Sequence, residues 1–480
     1  MDNINILQRR SNGTNESEIY LGHLCKHTFL SLWSYHNPYR KQGKRMASES
    51  QVLLGEGKEL CDLLVIFGNH VIIFSDKYCE FRSSGDIRLD WSRWYKRAIE
   101  ASANQIYGAE RWIKEYPNEI YLDKKCANIV PIKLPNSNEL NFHRIVVAHG
   151  ASKKCISELG GSGSFMIKPS IIGDNHYGTG CMPFTIGVVN QEKGYIHVLD
   201  DNSLDVVLKT LDTISDFVQY LFRKEEFIRS GDFAMAAGED DLLAHYLSYI
   251  DEVNQHSFYP DSFKKGHVIY IDEGLWVEFC HSSERIAQAE ANKVSYLWDE
   301  IIERFSYTIL TGTSCHMPQL NIQTQETLLR ILAKENRTRR RFLSRTLLSL
   351  ISNTPKEMRC TKVVTPLTDG GPFYLFLLLP KLKEVSYDEY KDERVNLLQC
   401  YLDIVKHEFP DAVDIIGYAT ETGFSDEHTE DLAYLDAREW TEEQEKIASQ
   451  TKGEFITHGL FEKQTTCFGI EKEYPDIDKT

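Results

Sequence analysis

Gly-Lys-Glu-Leu-Cys-Asp-Leu-Leu-Val-Ile-Phe-Gly-Asn-His-Val-Ile-Ile-Phe-Ser-Asp-Lys, residues 57–77, is the stretch on which the fold turns. Two apolar runs, Leu60–Phe67 and Val71–Phe74, flank Gly68-Asn69. Gly and Asn both tolerate positive φ, so the dipeptide predicts a two-residue hairpin turn. With Phe67 opposite His70, pairing outward puts Asp62 opposite Ser75 and Leu60 opposite Lys77. Side chains alternate along a strand, so Asp62, Ser75 and Lys77 share one face and Asp76 points to the other. Diagonal neighbours on a face lie roughly 7–8 Å apart. An acid and an amine therefore stand close together on an otherwise apolar hairpin.

Composition bounds what such a pair can do. The 480 residues suffice for two or three domains, and 42% hydrophobic with 26% charged residues is a globular balance. The eleven Cys are scattered with no Cys-x-x-Cys pair, so no zinc ribbon is indicated. The polar Met1–Arg10 lacks the apolar core of a signal peptide, and the longest apolar run, Phe373–Leu379, is too short to span a bilayer. These features predict a cytoplasmic protein with reduced thiols and no membrane contact. A net charge of −17 excludes a general polyanion-binding coat. It leaves room for local basic patches and for carboxylates that hold a cation.

Upstream, Glu18, Leu21, Cys25, Phe29 and Leu32 fall at helical spacing and predict a helix ending near Trp33. Asn15 with Glu18 has the spacing of a capping box. Residues 36–58 read as a loop whose Arg40, Lys41, Lys44 and Arg45 are either a solvated surface or a phosphate-contacting rim. Downstream, Trp94, Ala98, Ala101, Gln105, Gly108 and Trp112 form a helical stripe predicted to face the core. Gln105 sits in its middle, where an unpaired amide is costly.

The hairpin resembles that of the PD-(D/E)xK nuclease superfamily, the restriction and RecB-like nucleases. Asp62 matches the family's Asp and Lys77 its Lys, while Ser75 stands at the usual acidic position. The resemblance covers about the first two hundred residues. It implies a restriction-endonuclease-like mixed sheet flanked by helices and a metal-dependent endonuclease holding Mg²⁺ or Mn²⁺. Asp62 becomes the principal ligand and Lys77 the water-activating or charge-stabilising group, with Ser75 and Gln105 beside them. Such families often place a Glu of the first helix at the metal and a Gln on the helix after the Lys strand. To replace the acid missing at Ser75, Glu18 is the first candidate and Glu59 the second.

The whole chain reads as mixed α/β and α+β: a nuclease-like domain over 1–221, a mainly helical region over 222–354 and an α+β domain over 355–480. Phe184–Val189 and Tyr195–Leu199 read as strands about a turn, and Asp200–Tyr220 as one amphipathic helix. Val268–Ile271 and Leu275–Phe279 around Asp272-Glu273-Gly274 predict a second hairpin. The helix over Thr324–Ser352 carries Arg337, Arg339, Arg340 and Arg341, a basic run in an acidic protein and a candidate nucleic-acid or partner surface. The expected substrate is nucleic acid, with DNA placed ahead of RNA. A role in genome defence against phage follows only by analogy. Two other readings stay open: a nuclease-like scaffold that binds without cleaving, and a purely structural Asp62–Lys77 ion pair. An oligomer or protein partner through the middle or C-terminal region is also left open.

Overall fold

The computed structural model describes residues 13, 15–41, 56–251, 255–311, 321–381, 384–423, 429–460, 466, 469 and 471–475. Lys44, expected at a phosphate rim, lies outside them, as does Arg45. The chain opens with α1 (Glu16–Trp33), whose first turn is capped by the Asn15 side chain accepting from the Glu18 amide at 3.0 Å. Strands β1 (Ser34–His36), β2 (Tyr39–Arg40), β3 (Lys58–Glu59), β4 (Leu63–Phe67) and β5 (His70–Tyr78) follow. Gly68 takes φ 58° and closes the β4–β5 hairpin in the expected register, with Phe67 opposite His70 and Leu63 opposite Phe74.

Next come α2 (Ile87–Tyr95) and α3 (Ala101–Glu115), joined by a π-helical turn over Lys96–Glu100. That turn corrects the predicted stripe. A π turn inserts an extra residue and rotates the rest of the helix about its axis. Beyond it the buried face is Ser102, Ala103, Ile106, Ala109, Glu110 and Ile113, whereas Ala101 and Gln105 are exposed.

The chain continues through β6 (Asn141–His149), α4 (Ser152–Leu159), β7 (Met166–Ile172), β8 (Thr185–Val188), β9 (Ile196–Asp200), α5 (Ser203–Thr210) and α6 (Ile214–Arg229). Then follow β10 (Phe233–Ala236), α7 (Glu239–Ser248), β11 (Ile269–Ile271), α8 (Leu275–His281) and α9 (Ser283–Asn292). The helix expected over Asp200–Tyr220 is thus two helices, and Leu275–His281 is helical where a second hairpin strand was expected.

A five-stranded sheet, order β1-β4-β5-β6-β9, carries the hairpin; β4 is antiparallel to β1 and β5, while β5, β6 and β9 run parallel. Phe74 and Phe29 of α1 meet on one face at 6.1 Å. On the other face Ser75 meets Gln105 of α3. A smaller sheet, order β11-β10-β7-β8, belongs to the same unit, so β8 and β9 enter different sheets.

The chain divides at Glu290/Ala291 into two units, and the expected boundaries at 221/222 and 354/355 fall inside them. The second unit contains α10 (Tyr296–Thr311), α11 (Ile322–Ala333), α12 (Arg337–Asn353), β12 (Cys360–Val364), β13 (Phe373–Leu379), α13 (Tyr387–Glu408), β14 (Asp414–Glu421), β15 (Glu430–Asp436) and α14 (Glu442–Thr457). Its sheet has order β12-β13-β14-β15. Period-2 alternation sorts β13: Phe373, Leu375 and Leu377 pack on Leu398 and Leu402 of α13, while Tyr374 and Phe376 meet Trp298 of α10 edge-on. The fold is mixed α/β and α+β, as expected. Among the described residues no helix is long and apolar enough to cross a membrane.

Candidate active site

The end of the β4–β5 hairpin opens into a cavity of about 1100 Å³. Asp62, Asp76, Lys77, Glu18, Glu59 and Gln105 all line it. Four separate segments deliver them: α1 brings Glu18, β3 brings Glu59, the hairpin brings Asp62 and Lys77, and α3 brings Gln105. Arg40, Lys58 and Arg111 stand among the other lining residues, so basic side chains accompany the carboxylates. Arg40 is half-buried with its guanidinium 4.8 Å from the Trp112 ring centroid.

Asp62 is only 9% exposed, and its Oδ2 accepts the Asp76 amide at 2.6 Å. This bond ties the two hairpin strands together one step beyond the regular ladder. Burial drives the Asp62 carboxyl up to about 7; the Asp76 amide opposes that shift, and the negative charges of Glu59 and Glu18 add to it. Asn37, at the sharp corner after β1, bridges those two acids. Its Nδ2 donates to Glu18 Oε2 at 3.2 Å and to Glu59 Oε1 at 3.0 Å. Glu18 therefore serves both its helix cap and the acidic cluster, since its Oε1 also accepts from Asn15 Nδ2 at 2.7 Å. Glu59 escapes the alternation problem because it lies in its own short strand, β3, paired with Tyr39.

Ser75 is buried and donates its hydroxyl to Gln105 Oε1 at 3.1 Å. It holds Gln105 at the cavity wall and does not itself line the cavity. Lys77 is exposed at the cavity edge. Among the described residues, no three His, Cys, Asp or Glu side chains form a ready-made metal cage.

A second polar chain escaped the sequence reading. His149, at the end of β6, places Nδ1 2.8 Å from Asp201 Oδ1 and Nε2 3.2 Å from Asp76 Oδ1. The Asp76 side chain is fully enclosed. Burial works against the imidazolium, but the bond to Asp201 and the pairing with Asp76 outweigh it and raise His149 to about 9. The signal available in sequence was positional: His149 and Asp201 each lie at the carboxyl end of a parallel strand, where open sheets place functional groups. Because the folded value exceeds the ordinary 6.5, this group's stabilisation is complete below about pH 6.5 and is lost as pH rises toward 9, a swing of about 3 kcal/mol. His149→Gln should therefore lower the melting temperature strongly at pH 6 and much less at pH 9.5. A melting gap that does not change with pH would contradict the paired imidazolium.

The basic run on α12 is an interior feature, which corrects its expected role as a nucleic-acid surface. Arg337, Arg339, Arg340 and Arg341 are all buried. Arg337 and Arg340 pair with Asp299 at 2.8 and 2.5 Å, and Arg341 pairs with Glu471 at 2.6 Å. Arg339 donates to the Thr365 carbonyl at 2.8 Å. Guanidiniums committed in this way offer no charge to a phosphate backbone.

A second cleft of about 800 Å³ lies farther along α3, and Asn104, Gly108 and Arg111 line both cavities. Gly108 costs α3 about 1 kcal/mol relative to alanine. Packing does not demand it, since a Cβ there would meet no atom within 4 Å. Comparison with protein-family models, characterised proteins and solved structures finds no match for this chain.

Proposed function

We propose that the unit ending at Glu290 is a divalent-cation-dependent endonuclease that hydrolyses phosphodiester bonds, with DNA placed ahead of RNA. The observation that supports this reading is the arrival of Asp62, Glu18, Glu59, Gln105 and Lys77 at one cavity from four separate chain segments. A structural ion pair explains two of these residues and leaves the others without a reason to meet.

The donor set fits a hydrated Mg²⁺ or Mn²⁺. It is all oxygen, and hard cations of this kind keep several waters and take only one or two carboxylates. The raised proton affinity of Asp62 is what a buried carboxylate shows when no positive charge offsets its acidic neighbours. Asp62 would be the principal ligand, while Glu18 and Glu59, bridged by Asn37, would supply negative field. A cation bound there would act as a Lewis acid and lower the pKa of an attacking water. Lys77 offsets charge that develops on the phosphate oxygens. Gln105, its carbonyl occupied by Ser75, has its amide N–H groups left to orient substrate or water.

The test is nicking of supercoiled plasmid by the full chain in Mg²⁺ against EDTA. Lys77→Ala should lower the cleavage rate by about 10²–10⁴-fold, the usual scale of a lost proton-transfer or charge-stabilising group. It should leave Mg²⁺ affinity by calorimetry largely intact, because an ammonium does not ligate the cation. Equal loss of both would show that Lys77 has been given the wrong role.

A second reading has its own support. Ser75 replaces an acid, and the described residues form no three-ligand cage. A nuclease-like scaffold that binds nucleic acid without cleaving fits both facts. Mg²⁺-independent binding with no nicking would establish it.

A further inference from the structure

The two cavities are neighbours on one helix, and their electrostatics differ. The first sets the carboxylates Glu18, Glu59, Asp62 and Asp76 among Arg40, Lys58, Lys77 and the shared Arg111. In the second, Arg111, Lys114 and Lys193 face Glu110 and Glu115. Glu110 is already committed: Arg144 binds both its oxygens at 2.6 and 2.7 Å, and Lys114 reaches it at 2.6 Å. Three cations therefore line it against two carboxylates, and Arg144, outside the lining, offsets Glu110. That is a cationic pocket on a chain of net charge −17. Lys193 lies 4.5 Å from the Tyr107 ring centroid, and Tyr107 donates to the Gly194 carbonyl at 3.0 Å, fixing this loop against α3. Gly108 sits between the cavities, and the space where its side chain would stand is open.

We infer that the two cavities form one trench along α3 that takes a strand of nucleic acid, with the scissile phosphate beside Asp62 and Lys77 and the flanking phosphates on Arg111, Lys114 and Lys193. Asn104 to Lys114 spans about 15 Å at 1.5 Å per residue. Backbone phosphates in a B-form strand advance about 3.4 Å each, so several fit that length. The absent side chain at Gly108 keeps the path open. A mononucleotide would need only the first cavity; a polymer explains why an anion-binding pocket continues from a cation-binding one. This inference rests on the phosphodiesterase reading and adds the direction and footing of the substrate strand.

The test uses the full chain carrying Asp62→Asn, to prevent cleavage, in EDTA, with a fluorescein-labelled single-stranded oligodeoxythymidine read by anisotropy. Adding Lys114→Glu and Lys193→Glu together should weaken binding at least tenfold. It should also flatten the slope of log affinity against log salt by about 1.4, at about 0.7 per lost phosphate contact. Adding Gly108→Leu should weaken binding about tenfold by blocking the path, while the melting temperature holds or rises. Unchanged affinity and slope in both variants would overturn the trench. Plasmid nicking by the unsubstituted chain separates the two levels: nicking with unchanged affinity in both variants removes the trench and keeps the phosphodiesterase. Absence of both nicking and oligonucleotide binding removes both.

Discussion

Asp62→Asn should make the cation-free protein more stable at pH 8, while abolishing cleavage. The Asp62 carboxyl titrates near 7 in the folded protein, raised by burial and by Glu59 and Glu18, against about 3.9 in an unfolded chain. A raised folded value means that the group's favourable contribution is complete below about pH 3.9 and is lost as pH climbs through 7. Above that point the folded state carries a desolvated anion, a penalty of about 4 kcal/mol by linkage. Asparagine removes the charge, keeps an oxygen to accept the Asp76 amide and is nearly isosteric. The melting temperature of the variant should therefore exceed that of the parent increasingly from pH 5 to pH 8.5. A gap that does not grow with pH would show that Asp62 is not held as a strained anion. Saturating Mg²⁺ should close most of that gap. At a hundredfold excess over its dissociation constant it stabilises the parent by about 2.7 kcal/mol and the variant hardly at all. Full nicking activity in Asp62→Asn would remove the site assignment outright.

The same residue shows which parts of the molecule are legible in sequence. The hairpin was readable because its information is local: a Gly-Asn turn, two apolar runs and period-2 alternation place Asp62, Ser75 and Lys77 correctly. Glu18 was readable because one helical stripe and one cap motif both pointed to it. Glu59 reached the cavity by another route, since β3 is separate from β4 and its side chain obeys no alternation with Asp62. The phase of α3 was not readable. Its π turn adds a residue without a marking residue type, so Gln105 moved from an expected core position to the cavity wall. That error in burial left its expected location at the site intact. Asn37, His149 and Asp201 were missed because each acts on a partner from a distant strand or helix. Only the parallel order β5-β6-β9 brings Asp76, His149 and Asp201 together.

Arg340→Ala should destabilise the second unit by about 3–5 kcal/mol, the usual cost of breaking a buried charge network by removing one partner. Arg340 is 0% exposed. Its Nη1 meets Asp299 Oδ1 at 2.5 Å, its Nε donates to the Glu335 carbonyl at 2.9 Å, and its Nη2 donates to the Ala333 carbonyl at 2.6 Å. Ala333 ends α11, where carbonyls lack helical partners and the helix dipole favours a cation. One side chain thus caps α11, ties it to α12 and neutralises an acid of α10. Alanine leaves the carbonyls without donors and Asp299 with Arg337 as its remaining guanidinium partner. Arg345 is the control. It lies on the same helix but is 47% exposed, pairing with Glu471 at 2.6 Å. A solvent-exposed pair of that kind contributes about 0–1 kcal/mol, so Arg345→Ala should melt close to the parent. The sequence shows the two arginines as members of one basic run, because their carboxylate partners lie far away along the chain. Denaturant titration of the two variants against the parent distinguishes them. Equal, small effects in both variants would mean that the run is a surface after all and would restore it as a candidate nucleic-acid contact. A large effect at Arg340 alone identifies it as the brace between α10, α11 and α12.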